Sequence, residues 1–398
     1  MSAFDANRLE QDIKTFGGQI FAEVQNTKLS LFDPDFYTGK LMDWAMQDDA
    51  FKVSLFRFVD VLPALENSAA VIRHAQEYFA PVANRFPGIL KWGFNVDPES
   101  LAAKLAAQLI KKQVRSMAER FILGETPADA LKPLRKIRRD GLAFTVDLLG
   151  EATLGERGAR VYVERYLSLL NGLAKEVKNW PESRPLVSGH VGEATPLNIS
   201  VKLSALYSQS HPLNGARAIE ALSNSLGEII ARARELDGFV YVDMEDTKLT
   251  SLTLDVFTRV LSSAEFKDFA HCGCVLQAYL RRTSDDVERL VGWVKERGTP
   301  IAVRLVKGAY WDTETVLARQ QAWAVPVWQE KSASDLSYER ISLRLLENSP
   351  LIVPAFGSHN IRSLVHAVKV AEMLGVPKTH FELQALYGMA EPIKKAFA

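Results

Sequence analysis

The stretch "VRLVKGAYW", Val303 to Trp311, decides the fold class of this chain. It continues an apolar run that starts at Ile301 and is broken only by Arg304. Burying an unpaired cation is costly, so a buried strand with this sequence needs partners for Arg304. A lysine, a glycine and two aromatic residues follow the strand at once. Such an ending is typical of a binding site at the carboxyl edge of a parallel sheet.

Six other short apolar segments share this design, and amphipathic helices separate them, which is typical of βα units. The seven predicted strands start at Ala143, Leu197, Gly238, Gly273, Pro300, Leu351 and Thr379. One intervening helix is predicted to be capped by Ser284 and ended by Gly298. The chain has neither a G-x-G-x-x-G motif nor a P-loop, which disfavours a doubly wound nucleotide fold. The pattern therefore predicts an α/β barrel.

Polar side chains end all seven predicted strands. They are Asp147 with Glu151, Lys202 with Ser204, Asp243 with Glu245, Gln277, Arg304 with Lys307, Ser358 with His359 and Asn360, and Glu382 with Gln384. The carboxyl ends of barrel strands share one mouth, so we expect Arg304 and Lys307 to face Asp243 and Glu245 and an anionic ligand. Gly308 would let the backbone approach that ligand closely. The alternative is a salt-bridge cluster that only closes the barrel.

The first third of the chain is helical in pattern. We predict a helical arm and accessory α-domain over residues 1–135 and the barrel over residues 136–398. In the clearest helix, residues 100–123, Ser100 is the candidate N-cap. One face of this helix carries Leu101, Leu105, Leu109 and Ile110.

Composition excludes several classes of protein. The 398 residues carry 48 basic and 48 acidic side chains, so no global positive field favours nucleic acid. No secretory leader and no apolar run of membrane-spanning length is evident, which predicts a cytoplasmic protein. The only cysteines, Cys272 and Cys274, are expected to be inert thiols. The seven histidines lack metal-site spacing, so no metal is expected.

The motifs "FTVDLLGEA", "ISVKLSAL", "VDMED", "LQAYLRR", "VRLVKGAYWD", "GSHN" and "FELQALYGMAEP" together resemble the proline dehydrogenase domain of bacterial proline utilization A proteins. The resemblance covers most of residues 120–392, and the run from Arg304 to Asp312 is its most specific part. It implies a distorted (βα)8 barrel with noncovalently bound FAD. It also implies oxidation of L-proline to Δ1-pyrroline-5-carboxylate, with hydride transfer to flavin N5.

The resemblance also assigns site residues. Those implied to contact FAD are Gln277, Arg304, Val306, Gly308, Trp311 near the adenine, Ser358, His359, Asn360, Gln384 and Leu386. Those implied to line the proline pocket are Lys202, Asp243, Tyr310, Leu386 and Glu151, the last of which would pair with an arginine. The implied catalytic residues are Lys202, Asp243, Tyr310 and Arg304. Arg304 keeps its charge and is the candidate for stabilising reduced flavin. Ser358 replaces the usual threonine and keeps the hydroxyl.

The sequence departs from the family after "GMAEPIKKAFA". The resemblance implies an eighth strand and a last helix, which bear a tyrosine and two arginines that hold the proline carboxylate. We therefore expect a barrel truncated after its seventh strand, excised from a parent protein with an aldehyde dehydrogenase domain. The resemblance also implies a quinone electron acceptor. It leaves open peripheral contact of the parent with the inner membrane and assembly into a homo-oligomer.

Two other functions are compatible with the residues. One is a Schiff-base lyase that uses Lys202 or Lys307 as its nucleophile. The other is a non-catalytic barrel that acts as an assembly or regulatory module.

Overall fold

The computed structural model describes residues 6–26, 48–85, 96–150, 153–180 and 195–398. The chain divides into two compact units. One comprises Gln25–Leu123, and the other comprises Met1–Val24 together with Gly124–Ala398. The first helix, α1 (Ala6–Asn26), lies in the second unit except for its last two residues. The predicted domain boundary at residue 135 stays a prediction.

The smaller unit is helical. Its helices are α2 (Asp49–Val61), α3 (Ser68–Phe79) and α4 (Leu101–Ala118), with short 3-10 turns at Leu62–Ala64 and Ala80–Arg85. Its core contains the side chains of Phe51, Phe58, Ile72, Phe79 and Ala103, among others. Phe79 packs against both other phenylalanines, with ring centroids 5.5 Å and 5.6 Å apart.

Helix α4 confirms its predicted cap but not its predicted apolar face. The Ser100 hydroxyl accepts a hydrogen bond from the Ala103 amide at 3.1 Å. However, Leu101, Leu105 and Leu109 are 77%, 64% and 67% exposed. The helix buries Ala103 and Ala107 instead, and Ile110 packs beside them. Small side chains let the backbones of two helices approach closely, so the alanine face is the one that packs.

The larger unit alternates strands and helices after α5 (Pro127–Arg139). Its strands are β1 (Val146–Asp147), β2 (Asn198–Val201), β3 (Phe239–Val242), β4 (Cys272–Gln277), β5 (Ile301–Val306), β6 (Ile352–Gly357) and β7 (Glu382–Gln384). The helices that connect them are α6 (Glu156–Val177), α7 (Gly215–Glu235), α8 (Thr247–Leu261), α9 (Thr283–Arg297), α10 (Trp311–Gln320), α11 (Lys331–Leu346) and α12 (Ile361–Leu374). Helix α13 (Glu391–Phe397) follows β7. Short 3-10 turns occur at Leu203–Ala205, Pro212–Asn214 and Lys378–His380.

The seven strands form one parallel sheet in the order β1-β2-β3-β4-β5-β6-β7. Each strand pairs with its neighbours in sequence, which is the connectivity of a (βα)8 barrel. The sheet curls into a part-barrel that matches such a barrel truncated after its seventh strand. The predicted fold class is therefore confirmed. Among the described residues, no helix has both the length and the apolar character needed to cross a membrane.

In the barrel interior, large aromatic side chains from β3 pack against small residues of the following strands. Phe239 and Tyr241 point from β3 into a buried cluster with Ala302 and Ala355. On β4, a Cβ at Gly273 would lie 2.5 Å from the ring of Tyr241. Small residues on β4, β5 and β6 thus leave room for two aromatic rings from β3.

Helix α9 begins without the side-chain cap that the sequence predicted. It starts at Thr283, and no side chain caps it, so the predicted Ser284 cap is wrong. The Thr283 hydroxyl instead bonds the carbonyl oxygens of Gln277 at 2.5 Å and Leu280 at 3.1 Å. The loop after β4 is therefore fastened to the helix start from within. The predicted stop is confirmed, because Gly298 is left-handed with φ of 74°.

Candidate active site

A line of charged and polar side chains crosses the carboxyl ends of the strands. We call it the mouth network; it consists of Asp147, Lys202, Asp243, Arg304, Gln384 and Glu382. The Lys202 ammonium contacts the Asp147 carboxylate and lies 3.6 Å from Oδ2 of Asp243. Oδ1 of the same Asp243 accepts from Nη1 of Arg304 at 2.9 Å. The network thus links five strands, from β1 to β7.

Arg304 finds its partners on three other strands. Its Nη1 also donates to the Ser200 hydroxyl at 3.0 Å, and its Nε donates to Oε1 of Gln384 at 2.7 Å. The ring of Tyr241 lies beneath the guanidinium, 4.0 Å from its carbon. Among the described residues, the Nη2 hydrogens meet no acceptor. A nearly buried arginine therefore offers two fixed donors to a ligand.

The mouth network holds three carboxylate side chains, Asp147, Asp243 and Glu382, and two basic ones, Lys202 and Arg304. Burial, followed by repulsion from Asp243, raises the pKa of Asp147 despite its contact with Lys202. Asp147 therefore holds a proton more readily than an aspartate in water does. The sequence placed it at a strand end but not among the site residues. Its position as the last residue of β1, paired with Ser200 two residues before Lys202, was the available signal.

A second polar group of the site is the side chain of Gln277, the last residue of β4. The Gln277 side chain is 3% exposed, and its amide nitrogen donates to the Glu245 carbonyl at 3.1 Å. Its amide oxygen is buried and has no partner among the described residues. Gln277 is also the register partner of Val306 on β5. A ligand that presents an N–H group here would satisfy the orphaned oxygen.

Two predicted contacts at the mouth are wrong. The Glu245 carboxylate does not face Arg304; it accepts from the amide of Ser204 at 3.0 Å and from its hydroxyl. Lys307 pairs with Asp335 on α11, outside the mouth network. Residues three apart on an extended chain point to opposite sides, so Lys307 diverges from Arg304. Burial lowers the pKa of Lys307, while Asp335 opposes this shift.

The residues after β5 form the connection to α10. Gly308 has a φ of 129°, and a Cβ there would overlap the ring of Tyr279. Only glycine fits both conditions. Tyr310 is half-buried at the residue before α10. Trp311 starts that helix, and its indole nitrogen donates to the carbonyl of Trp328 at 2.8 Å.

The turn after β6 is fastened to β7. The Ser358 amide donates to the Gln384 carbonyl at 3.2 Å, and its hydroxyl accepts from the Asn360 amide at 3.1 Å. Oδ1 of Asn360 in turn caps α12 at the Ser363 amide, 3.0 Å away. This turn therefore lies directly beside the Gln384 end of the mouth network.

His359 and Leu386 make a second link between β6 and β7. Nε2 of His359 accepts from the Leu386 amide at 3.1 Å, and burial with nearby Lys394 lowers the pKa of His359. The Leu386 side chain is 65% exposed. Glu151 lies outside the described residues. The structure thus joins Lys202, Asp243, Arg304 and Gln384 in direct contact, with Ser358, His359 and Asn360 adjacent.

Comparison with known proteins identifies the family of the chain. The family model for proline dehydrogenase matches residues 130–398. The chain belongs to the proline dehydrogenase family. The model for the proline utilization A N-terminal domain matches residues 10–121. The resemblance seen in the sequence is thereby confirmed.

Individual relatives agree with this assignment. The chain is 30% identical over 298 residues to the bifunctional protein PutA of Escherichia coli, which covers 74% of this chain and 22% of that protein. It is 28% identical over 291 residues to proline dehydrogenase of Deinococcus radiodurans, covering 73% and 80%. The chain therefore spans about a fifth of the length of the bifunctional relatives.

A solved structure of proline utilization A from Bdellovibrio bacteriovorus, inactivated by N-propargylglycine, is similar throughout the chain. The TM-score is 0.88 at 41% sequence identity, and the match covers 98% of this chain and 38% of that one.

Proposed function

We propose that this chain is an FAD-dependent proline dehydrogenase domain that oxidises L-proline to Δ1-pyrroline-5-carboxylate. The observation that carries the proposal is the environment of Arg304 within a proline dehydrogenase family member. Three side chains bind two edges of its guanidinium, and two N–H donors remain directed to no described residue. Such a preorganised cation favours a ligand that gains negative charge during the reaction.

The site residues fit a flavin. The pyrimidine edge of an isoalloxazine presents both acceptors and an N–H donor. Nη2 of Arg304 supplies donors, and the buried oxygen of Gln277 supplies an acceptor. Gly308 removes a side chain where a ligand would approach the backbone. The other residues proposed to hold FAD are Val306, Trp311, Ser358, His359, Asn360, Gln384 and Leu386.

When bound, FAD supplies the two-electron acceptor for the hydride that proline loses from C5. The residues of the chain then have to bind the proline carboxylate and manage the proton on the ring nitrogen. We propose that Lys202, as a point charge, contributes to holding the carboxylate. Asp147, with its raised pKa, is suited to receive a proton, and Asp243 keeps Lys202 and Arg304 in place.

The remaining pocket residues are assigned by position. Tyr310 and Leu386 are proposed to give the pyrrolidine ring an apolar wall, and Glu151 is proposed to pair with an arginine over the substrate. For the parent protein we propose an aldehyde dehydrogenase domain, because the relatives it matches are named bifunctional. We also propose a quinone as the electron acceptor and the cytoplasm as the compartment.

The test is an anaerobic titration of the purified chain. After incubation with FAD and gel filtration, the protein should retain flavin absorbance. Proline should then bleach that absorbance, and glycine should not. A chain that retains no flavin would contradict the proposal. Borohydride trapping of a carbonyl substrate on Lys202 or Lys307 would then indicate a lyase. If the chain retains no flavin and traps no substrate, a non-catalytic module is indicated.

A further inference from the structure

A buried aromatic residue lies directly beneath the cation of the mouth network. The Tyr241 ring is fully buried, and the Arg304 guanidinium carbon lies 4.0 Å from its centroid. The ring of Phe239 packs against it from below, with centroids 4.8 Å apart. Both aromatics come from β3 and are two residues apart, so they point to the same face. The result is a column of two rings and one guanidinium along the barrel interior.

Other strands provide the space for this column. Ala302 on β5 and Ala355 on β6 belong to the same buried cluster. Gly273 on β4 has no side chain where a Cβ would lie 2.5 Å from the Tyr241 ring and 2.9 Å from the Ala302 carbonyl oxygen. Any larger residue at position 273 would push the ring out of place. The barrel is therefore shaped around Tyr241.

The ring covers a face of the guanidinium that the hydrogen bonds leave open. Ser200, Asp243 and Gln384 bind Arg304 along the edges of its planar guanidinium. These in-plane contacts hold two edges of the group but cover neither of its faces. A ring face at 4.0 Å closes one side of the plane to water and attracts the cation through its quadrupole. Together these contacts leave the Nη2 edge as the one directed to a ligand.

We propose that Tyr241 is a positioning residue that fixes the plane of Arg304 and thereby sets the preference of this site for reduced over oxidised flavin. This inference rests on the proposed function. A cation held at a fixed angle in a water-poor site stabilises developing negative charge better than one that can tilt into water. The aromatic face is the part of Tyr241 that contacts Arg304.

The experiment compares three variants of the FAD-loaded chain. Tyr241→Phe keeps the face, whereas Tyr241→Leu removes it. Phe239→Leu removes the ring that packs against Tyr241 and controls for lost core packing. The measurement is the flavin midpoint potential by dye equilibration, together with the dissociation constant of oxidised FAD. These give the relative affinity for reduced and oxidised flavin.

We expect Tyr241→Leu to lower the relative affinity for reduced flavin by about 2- to 30-fold, the range that cation–π contacts span from exposed to desolvated sites. A tenfold loss corresponds to about 30 mV in a two-electron couple. Tyr241→Phe and Phe239→Leu should leave the potential unchanged, although the latter should unfold more readily. If Tyr241→Leu does not fold, Tyr241→Met, which fills more of the volume without a ring, takes its place.

Equal potentials in the leucine and phenylalanine variants at position 241 would overturn the inference. A shift of the same size in Phe239→Leu would also overturn it, because core packing would then be the cause. Failure of the proposed function is recognised separately, since the unsubstituted chain would then retain no flavin.

Discussion

Arg304 contributes geometry as well as charge to the mouth network. Its guanidinium is bound along two edges and stacked on one face, so the direction of its remaining donors is fixed by the protein. Lysine could supply the charge but not the fork or the stacked plane. The contacts of Asp243 with both Arg304 and Lys202 further tie the angle of one cation to the position of the other.

Arg304→Ala should weaken FAD binding. Removing a fixed cation from a partly desolvated anionic site costs about 2–4 kcal/mol, which is about 30- to 700-fold in affinity. Arg304→Lys should fall between this variant and the unsubstituted chain, because it keeps the charge and loses the Nη2 donors. The measurement is FAD titration by flavin fluorescence. Unchanged affinity in Arg304→Ala would mean that Arg304 serves only as a structural ion-pair residue.

His359 should make one contact of the site sensitive to pH. Its Nε2 can accept from the Leu386 amide only while the imidazole is neutral. Its folded pKa is lowered below the usual value of about 6.5. The stabilisation that depends on this shift is therefore complete above about pH 6.5 and is lost as pH falls through the folded pKa.

We expect the Leu386 amide to lose protection from hydrogen exchange as the pH falls through the folded pKa, after correction for the intrinsic exchange rate. The control is His359→Gln, whose amide oxygen accepts at any pH. In this variant, protection of the Leu386 amide should not depend on pH, because glutamine carries no charge. The same pH dependence in both proteins would show that another group controls this segment.

At the scale of elements, the strands were predictable and their cross-strand contacts were not. Each predicted segment contains a strand because apolar runs with polar ends dominate the local pattern. The partner of Lys307 could not be read locally, since Asp335 is supplied by α11, 28 residues later. The stacking of Tyr241 likewise depends on Gly273 from another strand. Contacts set by register and curvature have no signal in a single segment.

Helix faces were less predictable than strands. Leucines at Leu101, Leu105 and Leu109 suggested the packed face of α4, but alanines occupy it. Hydrophobicity alone favours the larger side chains, whereas close helix packing favours small ones. The pattern therefore indicated a helix correctly and its orientation incorrectly.

Helix α1 is held against the barrel helices by a charged clamp. Nη1 and Nη2 of Arg362 on α12 each donate to Glu10 of α1 at 2.9 Å, and Nε donates to Glu339 of α11 at 2.9 Å. Further along, the Lys369 ammonium lies 4.5 Å from the Phe16 ring. Arg362 is two residues after Asn360 of the site, so α1 supports the turn that carries His359.

Arg362→Ala should loosen α1. Exposed ion pairs contribute up to about 1 kcal/mol each, which is roughly fivefold in local opening. The readout is amide exchange at Ile13, a buried residue of α1. Arg344→Ala is the matched control, because Arg344 binds Glu288 and Glu347 similarly without touching α1. Equal acceleration by both variants would indicate a general loss of stability.

At the scale of the whole sheet, the site connects the outer strands with the central part of the sheet. In the described part of the sheet, β1 and β7 are the outer strands, with two and three residues. The central strand β4 is buried throughout. The mouth network extends from Asp147 on β1 to Gln384 on β7, so its ends depend on the strands that open most easily. A ligand held by Gln277 and Arg304 and also by Gln384 would tie an outer strand to the centre.

FAD should therefore slow amide exchange in β7 as well as in β4. Leu383 is expected to exchange through local opening and Cys274 only through global unfolding. Any ligand that binds only the folded chain slows exchange at Cys274, by about 2.7 kcal/mol at 100 times its dissociation constant, but it slows Leu383 only if the local opening of β7 also weakens its binding. A ligand that bridges the strands therefore adds protection at Leu383, up to the amount that it adds at Cys274. The measurement is exchange at the two amides with and without FAD, in the unsubstituted chain and in Arg304→Ala at matched saturation. The extra protection at Leu383 should shrink in the variant, because Arg304 is the residue that bonds Gln384 across the sheet. Slowing at Cys274 without slowing at Leu383 would mean that FAD does not connect β7 to the centre of the barrel.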